Sequence, residues 1–277
     1  MMAIANDYKQ RIANFYNARK DYDDDRPHAS ILTRKQRALT LFEYTELHAG
    51  QSVLDAATGT GNIAIQAAEI VGETGSVIGI DIATDLLAIA QQKIQSANLH
   101  NIELIEADVE QYESQPNRFD AIYCSFAIVL FANIPAVLEK WFRFLKPGGF
   151  VAFTASSEDS YLTPTIVDAC AQNQVTLPNL HFTLGTIDRC EQILSKIGFE
   201  NIHVHPRQLG VYLTVEEAKN RWNGRFWLHP DNPLPNIDAE TVQKIKAAYD
   251  AEIESLAIDR GVWHEELIYY VVAYKAN

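Results

Sequence analysis

The run Val53-Leu54-Asp55-Ala56-Ala57-Thr58-Gly59-Thr60-Gly61-Asn62 carries a carboxylate inside an apolar stretch and glycines just beyond it. Glycine admits positive φ and lets a backbone approach a ligand closely. The small residues Ala56, Ala57 and Thr58 leave room for such a ligand. In open α/β sheets, ligands bind beyond the carboxyl ends of the strands, where a turn of this kind sits. Two ligand classes fit. Gly59-Thr60-Gly61-Asn62-Ile63-Ala64 matches the dinucleotide pattern G-x-G-x-x-A, and Asp81 follows 20 residues after Gly61. Asp55, four residues before Gly59, argues for the other class. A carboxylate there opposes a pyrophosphate and suits a cationic ligand with an amino group and a sulfonium.

Other residues bear on an acceptor. His28 and His229 are candidate catalytic bases, because imidazole titrates near neutrality; either can equally cap or pack. The cluster Trp222-Asn223-Gly224-Arg225-Phe226-Trp227-Leu228-His229 offers Trp222, Arg225, Phe226 and Trp227 as a wall for an aromatic or acyl substrate. The same aromatics also serve to bury their own segment. His203 and His205 lie two apart on one strand. A metal site needs a further ligand, none is identifiable, and no metal is expected.

These residues must be held by a scaffold. Apolar runs at 52–56, 76–81, 102–107, 121–126, 150–155, 202–209 and 266–275 read as strands. Helical patterns at 62–71, 85–98, 134–145 and 186–197 alternate with them. Gly72, Gly198 and the turn Lys146-Pro147-Gly148-Gly149 punctuate the series. Alternation of this kind predicts a parallel sheet with helices on both faces. Residues 1–50 read as helical with a polar break at 21–28, 156–185 as irregular, and 214–260 as two helices around a Pro-rich loop. The expected organisation is an N-terminal helical cap (1–50), a cofactor-binding core (51–209), a helical lid insertion (210–264) and a final core strand (265–277).

The chain has 277 residues, 47% of them hydrophobic and 21% charged, with formal net charge −13. It therefore reads as an ordinary globular protein able to bury a core without disulfides. No Lys/Arg cluster is visible that would neutralise nucleic-acid phosphates, so no nucleic-acid partner is expected. Asp23-Asp24-Asp25 is a short acidic run, expected in a solvated turn. Three scattered cysteines, Cys124, Cys170 and Cys190, suggest neither a disulfide framework nor a zinc knuckle. No leader pattern and no apolar run long enough to span a bilayer is seen. The expected compartment is the cytoplasm.

With these motifs in order, the sequence resembles the class I S-adenosylmethionine-dependent methyltransferases. It looks closest to the branch of quinone-biosynthesis and other small-molecule enzymes. The resemblance covers residues 50–155 well and the rest loosely. Asp55–Gly61 matches the family's first motif, although Ala57 stands where glycine is common. Val77-Ile78-Gly79-Ile80-Asp81 matches the second, and Ala107-Asp108-Val109 the third. The resemblance implies a Rossmann-like, doubly wound α/β fold with a seven-stranded sheet whose last strand is antiparallel. It implies S-adenosyl-L-methionine as cofactor, bound by Tyr22, Asp55, Ala57, Thr58, Gly59, Gly61, Asp81, Ile82, Asp108, Val109 and Ser125. In that reading Asp81 takes the ribose hydroxyls and Ile82 flanks the adenine. Asp108 accepts from the adenine amino group, Val109 offers its backbone N–H, and Tyr22 and Ser125 meet the methionine end. The implied reaction is methyl transfer to an O, N or C nucleophile of a small organic acceptor. The alternatives are a regulatory module that binds the cofactor without turnover and an NAD(P)-dependent oxidoreductase.

Overall fold

A computed structural model describes residues 2–19 and 32–277. Seven strands form one sheet: β1 (Ser52–Ala56), β2 (Ser76–Asp81), β3 (Ile102–Glu106), β4 (Phe119–Cys124), β5 (Leu145–Ser156), β6 (Phe199–Gln208) and, last in the chain, Leu267–Lys275. Two three-residue strands precede that last one, β7 (Val211–Leu213) and β8 (Val262–His264), so Leu267–Lys275 is β9. The sheet order is β3-β2-β1-β4-β5-β9-β6. Pairing is parallel from β3 through β5, whereas β9 is antiparallel to both β5 and β6. The chain order reverses between β1 and β4, which opens a crevice beyond their carboxyl ends.

The helices are α1 (Met2–Asn17), α2 (Arg34–Leu39), α3 (Asn62–Val71), α4 (Thr84–Ser96), α5 (Ile134–Phe144), α6 (Thr163–Gln172), α7 (Ile187–Ile197), α8 (Val215–Asn220) and α9 (Ala239–Ser255). Strand alternation divides the core into two layers. Leu54 and Ala56 of β1 pack with α1, α5 and α7 through Tyr8, Trp141 and Leu194. Val53 points the other way, onto Ile63, Ala64, Ala67 and Ala68 of α3 and Leu41 beyond α2. The sequence signals place the helix ends: Thr186 caps α7 by accepting from the Arg189 N–H at 3.2 Å, and Gly198 ends it with φ +111°. At the strand-start edge, the Asp120 carboxylate accepts from the Ser52 N–H and from Lys146 Nζ, each at 2.7 Å.

The structure corrects four expectations. Residues 156–185 are not all irregular, because Thr163–Gln172 is helical. Pro164 sits in its first turn, where a missing N–H costs nothing. The stretch 210–264 is not purely helical: β7 and β8 form an antiparallel ribbon at its base. Its α8 and α9 share a third core with α6, built around Ile166, Phe226, Ile245 and Tyr249. Strand β4 ends at Cys124, so Ser125 and Phe126 lie in the loop beyond it. Strand β5 starts at Leu145; its Lys-Pro-Gly-Gly turn is absorbed as a bulge, where the partner of β4 jumps from Leu145 to Phe150.

Helix α1 lies across the crevice. Tyr8 is buried and donates its hydroxyl hydrogen to the Leu130 carbonyl at 2.6 Å. Lys9 pairs with Glu110 and lies 3.3 Å from Asp108. Tyr8→Phe leaves the buried Leu130 carbonyl without its donor, at an expected cost of about 1 kcal/mol. Chemical denaturation of the full chain checks this, and an unchanged midpoint would show that α1 is not anchored there.

Candidate functional site

The site grows from the turn after β1. Asp55 is 1% exposed. One of its oxygens, Oδ2, accepts from the Thr58 hydroxyl at 2.6 Å and from the Ala64 N–H at 3.0 Å, which fixes the turn against the first residues of α3. Its other oxygen, Oδ1, is buried with no hydrogen-bond partner among the described residues. Burial pushes the carboxyl up to about 7, against the two hydrogen bonds that lower it, with Asp81 raising it further. Gly61 precedes α3 at φ +80°, and a Cβ there would lie 3.1 Å from Ala90 Cβ. Ala57 adopts φ +60°, the left-handed region that favours glycine.

Strand β2 ends at Asp81, whose two oxygens accept from the Gly59 N–H at 2.7 Å and the Ala83 N–H at 2.8 Å. This carboxylate ties the glycine turn to the neighbouring strand and retains lone pairs for further donors. Asp108, past β3, accepts from the Glu110 N–H at 3.0 Å.

Two cavities share this wall. The smaller, about 70 Å³, is lined by Asp81, Ile82, Asp108, Val109, Leu86 and Lys9, among others. The larger, about 210 Å³, is lined by Asp55, Thr58, Arg37, Tyr161, Arg221 and Glu266, among others. Tyr16, Ala57, Gly59, Ser125 and Phe126 line both, so the two spaces adjoin. Phe126 is held at φ +56° by its N–H bond to Thr154 Oγ1 at 2.6 Å. Ser125 Oγ is buried without a partner among the described residues.

Nearly all the residues expected to meet a cofactor are therefore brought together. Asp55, Ala57, Thr58 and Gly59 line the larger cavity, and Asp81, Ile82, Asp108 and Val109 the smaller; Ser125 faces both. Gly61 acts through the backbone turn instead of lining a cavity. Tyr22 and His28 lie outside the described residues. His229 lines neither cavity, and its Nδ1 accepts from the Asp231 N–H at 3.0 Å, a local turn role. Of the expected acceptor wall, Arg225 and Phe226 line the larger cavity. Trp222 and Trp227 do not: they meet edge to face with ring centroids 4.9 Å apart, Trp222 also lies against Tyr249, and Trp227 Nε1 donates to the Trp222 carbonyl.

Sequence reasoning missed the far wall. Tyr16, Arg34, Arg37, Phe126, Tyr161, His181, Arg221, His264 and Glu266 all line the larger cavity. Glu266, 1% exposed, forms an ion pair with Arg37 and accepts from the Tyr161 hydroxyl at 3.0 Å. Tyr161 itself is in left-handed backbone, φ +64°. His181 and His264 are 3% and 2% exposed and flank the Tyr161 ring at 5.5 and 5.6 Å. Burial, helped by Arg225 for His181 and by Arg221 and Arg37 for His264, pulls each imidazole down to about 3. Both are neutral at pH 7.

A family profile described as a methyltransferase domain matches residues 47–198. A demethylmenaquinone methyltransferase of Oceanobacillus iheyensis is 31% identical over 153 residues, covering 55% of this chain and 62% of that protein. The ubiquinone/menaquinone biosynthesis C-methyltransferase UbiE of Coxiella burnetii is 30% identical over 174 residues, covering 62% and 68%. The match thus spans about three fifths to two thirds of the length of these curated relatives. Among solved structures, a Haemonchus contortus phosphoethanolamine N-methyltransferase 2 superposes with a TM-score of 0.60 at 20% identity, covering 98% of this chain and 60% of that one. The chain belongs to the class I S-adenosylmethionine-dependent methyltransferase family. S-adenosylmethionine is the methyl donor of that family.

The buried histidines set an acid limit on stability. An unfolded chain takes up a proton on His264 below about pH 6.5, while the folded site resists until about 3. Stability therefore falls with falling pH across that window, by about 2 kcal/mol at pH ~5 for this residue. His264→Gln removes the loss: between pH ~7.5 and ~5 the wild type should lose about 2 kcal/mol more than the variant in guanidinium unfolding. Equal losses would show that His264 is not held neutral.

Proposed function

We propose that this protein transfers a methyl group from S-adenosylmethionine to an O, N or C nucleophile of a small organic acceptor. The bound donor supplies a methyl group already activated on a sulfonium, ready for in-line displacement. The observation that carries the reading is Asp55 Oδ1, a buried carboxylate oxygen with no partner among the described residues, on a side chain that lines the larger cavity. An ammonium group satisfies it, and a pyrophosphate does not. An NAD(P) cofactor fits this wall poorly for that reason.

The residues present fit the donor along its length. Asp81 would hold the ribose hydroxyls with the lone pairs its backbone bonds leave unused. Ile82, Val109 and Asp108 would hold the adenine in the smaller cavity. Asp55, Thr58, Gly59 and the Ser125 hydroxyl would hold the amino-acid end. Ala57, Ser125 and Phe126, lining both cavities, place the acceptor side next to the donor side. The chain's own task is then to align the acceptor and exclude water. Helix α1 supplies Tyr16 to that closure, and we assign 210–264 as the lid over the core of 51–209 and 265–277, with 1–50 as the cap. A neutral imidazole at pKa about 3 is a weak base. His181 and His264, neutral in the ligand-free site, therefore serve as hydrogen-bond partners for the acceptor once it is bound.

The names of the quinone-biosynthesis relatives support a small-molecule acceptor. No helix among the described residues is long and apolar enough to cross a membrane. The three cysteines are free and buried, which supports the cytoplasm as compartment.

Two variants test the donor site by titration calorimetry with S-adenosylmethionine. Asp55→Asn and Asp81→Ala should each weaken binding by roughly 10- to 100-fold, the cost of one lost charged hydrogen bond. Wild-type affinity should also rise from pH ~5.5 to ~7 as Asp55 ionises, since the ammonium needs the carboxylate form. That dependence should flatten in Asp55→Asn. Unchanged affinity in either variant contradicts the assigned role.

A further inference from the structure

Transfer to a hydroxyl requires a group that takes its proton, and the histidines do not supply one. Among the described residues, His181 and His264 are the histidines that line the larger cavity. Burial holds both near 3, too low for a base at neutral pH. Two described carboxylates line the same cavity, Asp55 and Glu266. Asp55 is assigned to the donor. Glu266 is 1% exposed and has no part in holding the donor.

Glu266 is joined to a second cavity residue. The Tyr161 hydroxyl donates to Glu266 Oε1 at 3.0 Å, and Arg37 pairs with that same oxygen. The backbone fixes the two side chains from both sides. The Tyr161 N–H donates to the Glu265 carbonyl at 2.8 Å, and the Leu267 N–H donates to Ser160 Oγ at 3.0 Å. Tyr161 and Leu162 are held in left-handed backbone, φ +64° and +62°, a strain that clusters at functional sites. The pair is tied to Phe126, which lines both cavities. Arg37 lies 4.9 Å from the Phe126 ring centre. Arg225 donates to the Phe126 carbonyl at 3.3 Å and lies 5.3 Å from the Tyr161 ring centre. The Ser156 side chain also meets the Tyr161 hydroxyl, whose oxygen keeps a lone pair for one further donor.

We propose that Tyr161 takes the proton of an acceptor hydroxyl and passes its own to Glu266, so that the two together are the base of methyl transfer. This inference rests on the methyltransferase reading and deepens it: the acceptor carries a hydroxyl on, or conjugated with, the atom that is methylated. The acceptor O–H bond breaks toward Tyr161 Oη as the Tyr161 O–H bond breaks toward Glu266 Oε1, and the acceptor keeps the electron pair. That pair then forms the bond to the methyl carbon while the carbon–sulfur bond breaks, its electrons staying on sulfur. The positive charge of the sulfonium and the negative charge of Glu266 vanish together, so no charge is created in a buried site. Burial raises Glu266, against Arg37, Tyr161 and Arg225, which lower it, and burial with Glu266 raises Tyr161. Tyr161 therefore relays the proton instead of staying ionised, and Glu266 holds it better than a surface carboxylate does. The charged and titratable groups facing Glu266 are Arg37 of α2, Tyr161, Arg221 and Arg225 of the 210–264 stretch, and Tyr270 of β9.

The test separates the two claims. The full chain is first titrated with S-adenosylhomocysteine alone; failure to bind overturns the methyltransferase reading and this inference with it. The S-adenosylhomocysteine complex is then titrated with 4-nitrophenol at about one pH unit below the probe's own pKa, where the free probe is mostly protonated. The phenolate absorbs visible light and the phenol does not, so the bound probe reports whether its proton has been taken. The wild type should bind the probe and show the phenolate band. Tyr161→Phe and Glu266→Gln should each bind S-adenosylhomocysteine as the wild type does, yet lower the phenolate band of the bound probe by roughly tenfold, a shift of about one pKa unit. If Glu266→Gln loses S-adenosylhomocysteine binding through misfolding, Tyr161→Phe alone decides. A probe that does not bind, that binds the wild type protonated, or that is ionised equally in the wild type and Tyr161→Phe overturns the proposal while leaving the donor site standing.

Discussion

A carboxylate at the end of a central strand is an expensive thing to bury, and Asp55 is buried almost completely. Among the described residues, the fold compensates at one oxygen only. Oδ2 is bound by Thr58 and Ala64, so the same charge that strains the strand end also shapes the glycine turn and sets where α3 begins. Oδ1 is left over, buried without a partner among the described residues, on a side chain that lines the larger cavity. In the proposed function, the donor's ammonium group offsets that cost. Asp81 repeats the logic one strand over, since it fastens Gly59 and keeps spare lone pairs beside the smaller cavity. In the proposed function, turn geometry and ligand affinity therefore draw on the same two side chains.

The peripheral elements depend on this centre. Helix α1 is pinned over the smaller cavity by Tyr8 and Lys9, and it delivers Tyr16 to the junction of the two spaces. On the other side, Arg37, Tyr161 and Glu266 knit α2, the segment after β5 and the start of β9 into one buried polar wall. Phe126 and Tyr161, both in left-handed backbone, sit at that wall. Strained backbone of this kind persists where surrounding contacts hold it, and it clusters at ligand sites. The Thr154 hydroxyl holds Phe126, and the Glu265 carbonyl, 2.8 Å from the Tyr161 N–H, holds Tyr161.

The core was legible in the sequence because its signals are local. Apolar strands end at carboxylates, glycines stop helices, and Asp55, Asp81 and Asp108 fall at strand ends whose spacing survives folding. The far wall of the larger cavity was not legible, because it is assembled from distant pieces: Arg37 and Glu266 pair across 229 residues. No periodicity records such convergence. Helix α6 was hidden inside a stretch that read as irregular, because its proline, Pro164, is compatible with a helix only in the first turn, where it sits. Trp222 and Trp227 misled for a different reason. A tryptophan-rich stretch is equally suited to a ligand wall and to a small core, and here the indoles bury against each other and Tyr249. Arg225 and Phe226, between them in sequence, face the cavity instead.

The most direct measurement is a crystal structure of the full chain with S-adenosylhomocysteine. The ligand's ammonium nitrogen should lie about 2.7–3.2 Å from Asp55 Oδ1, with the ribose on Asp81 and the adenine between Ile82 and Val109. A ligand whose adenosine occupies the arginine-lined cavity, or whose ammonium leaves Asp55 Oδ1 unmet, would contradict the assignment of this buried carboxylate as the donor's anchor.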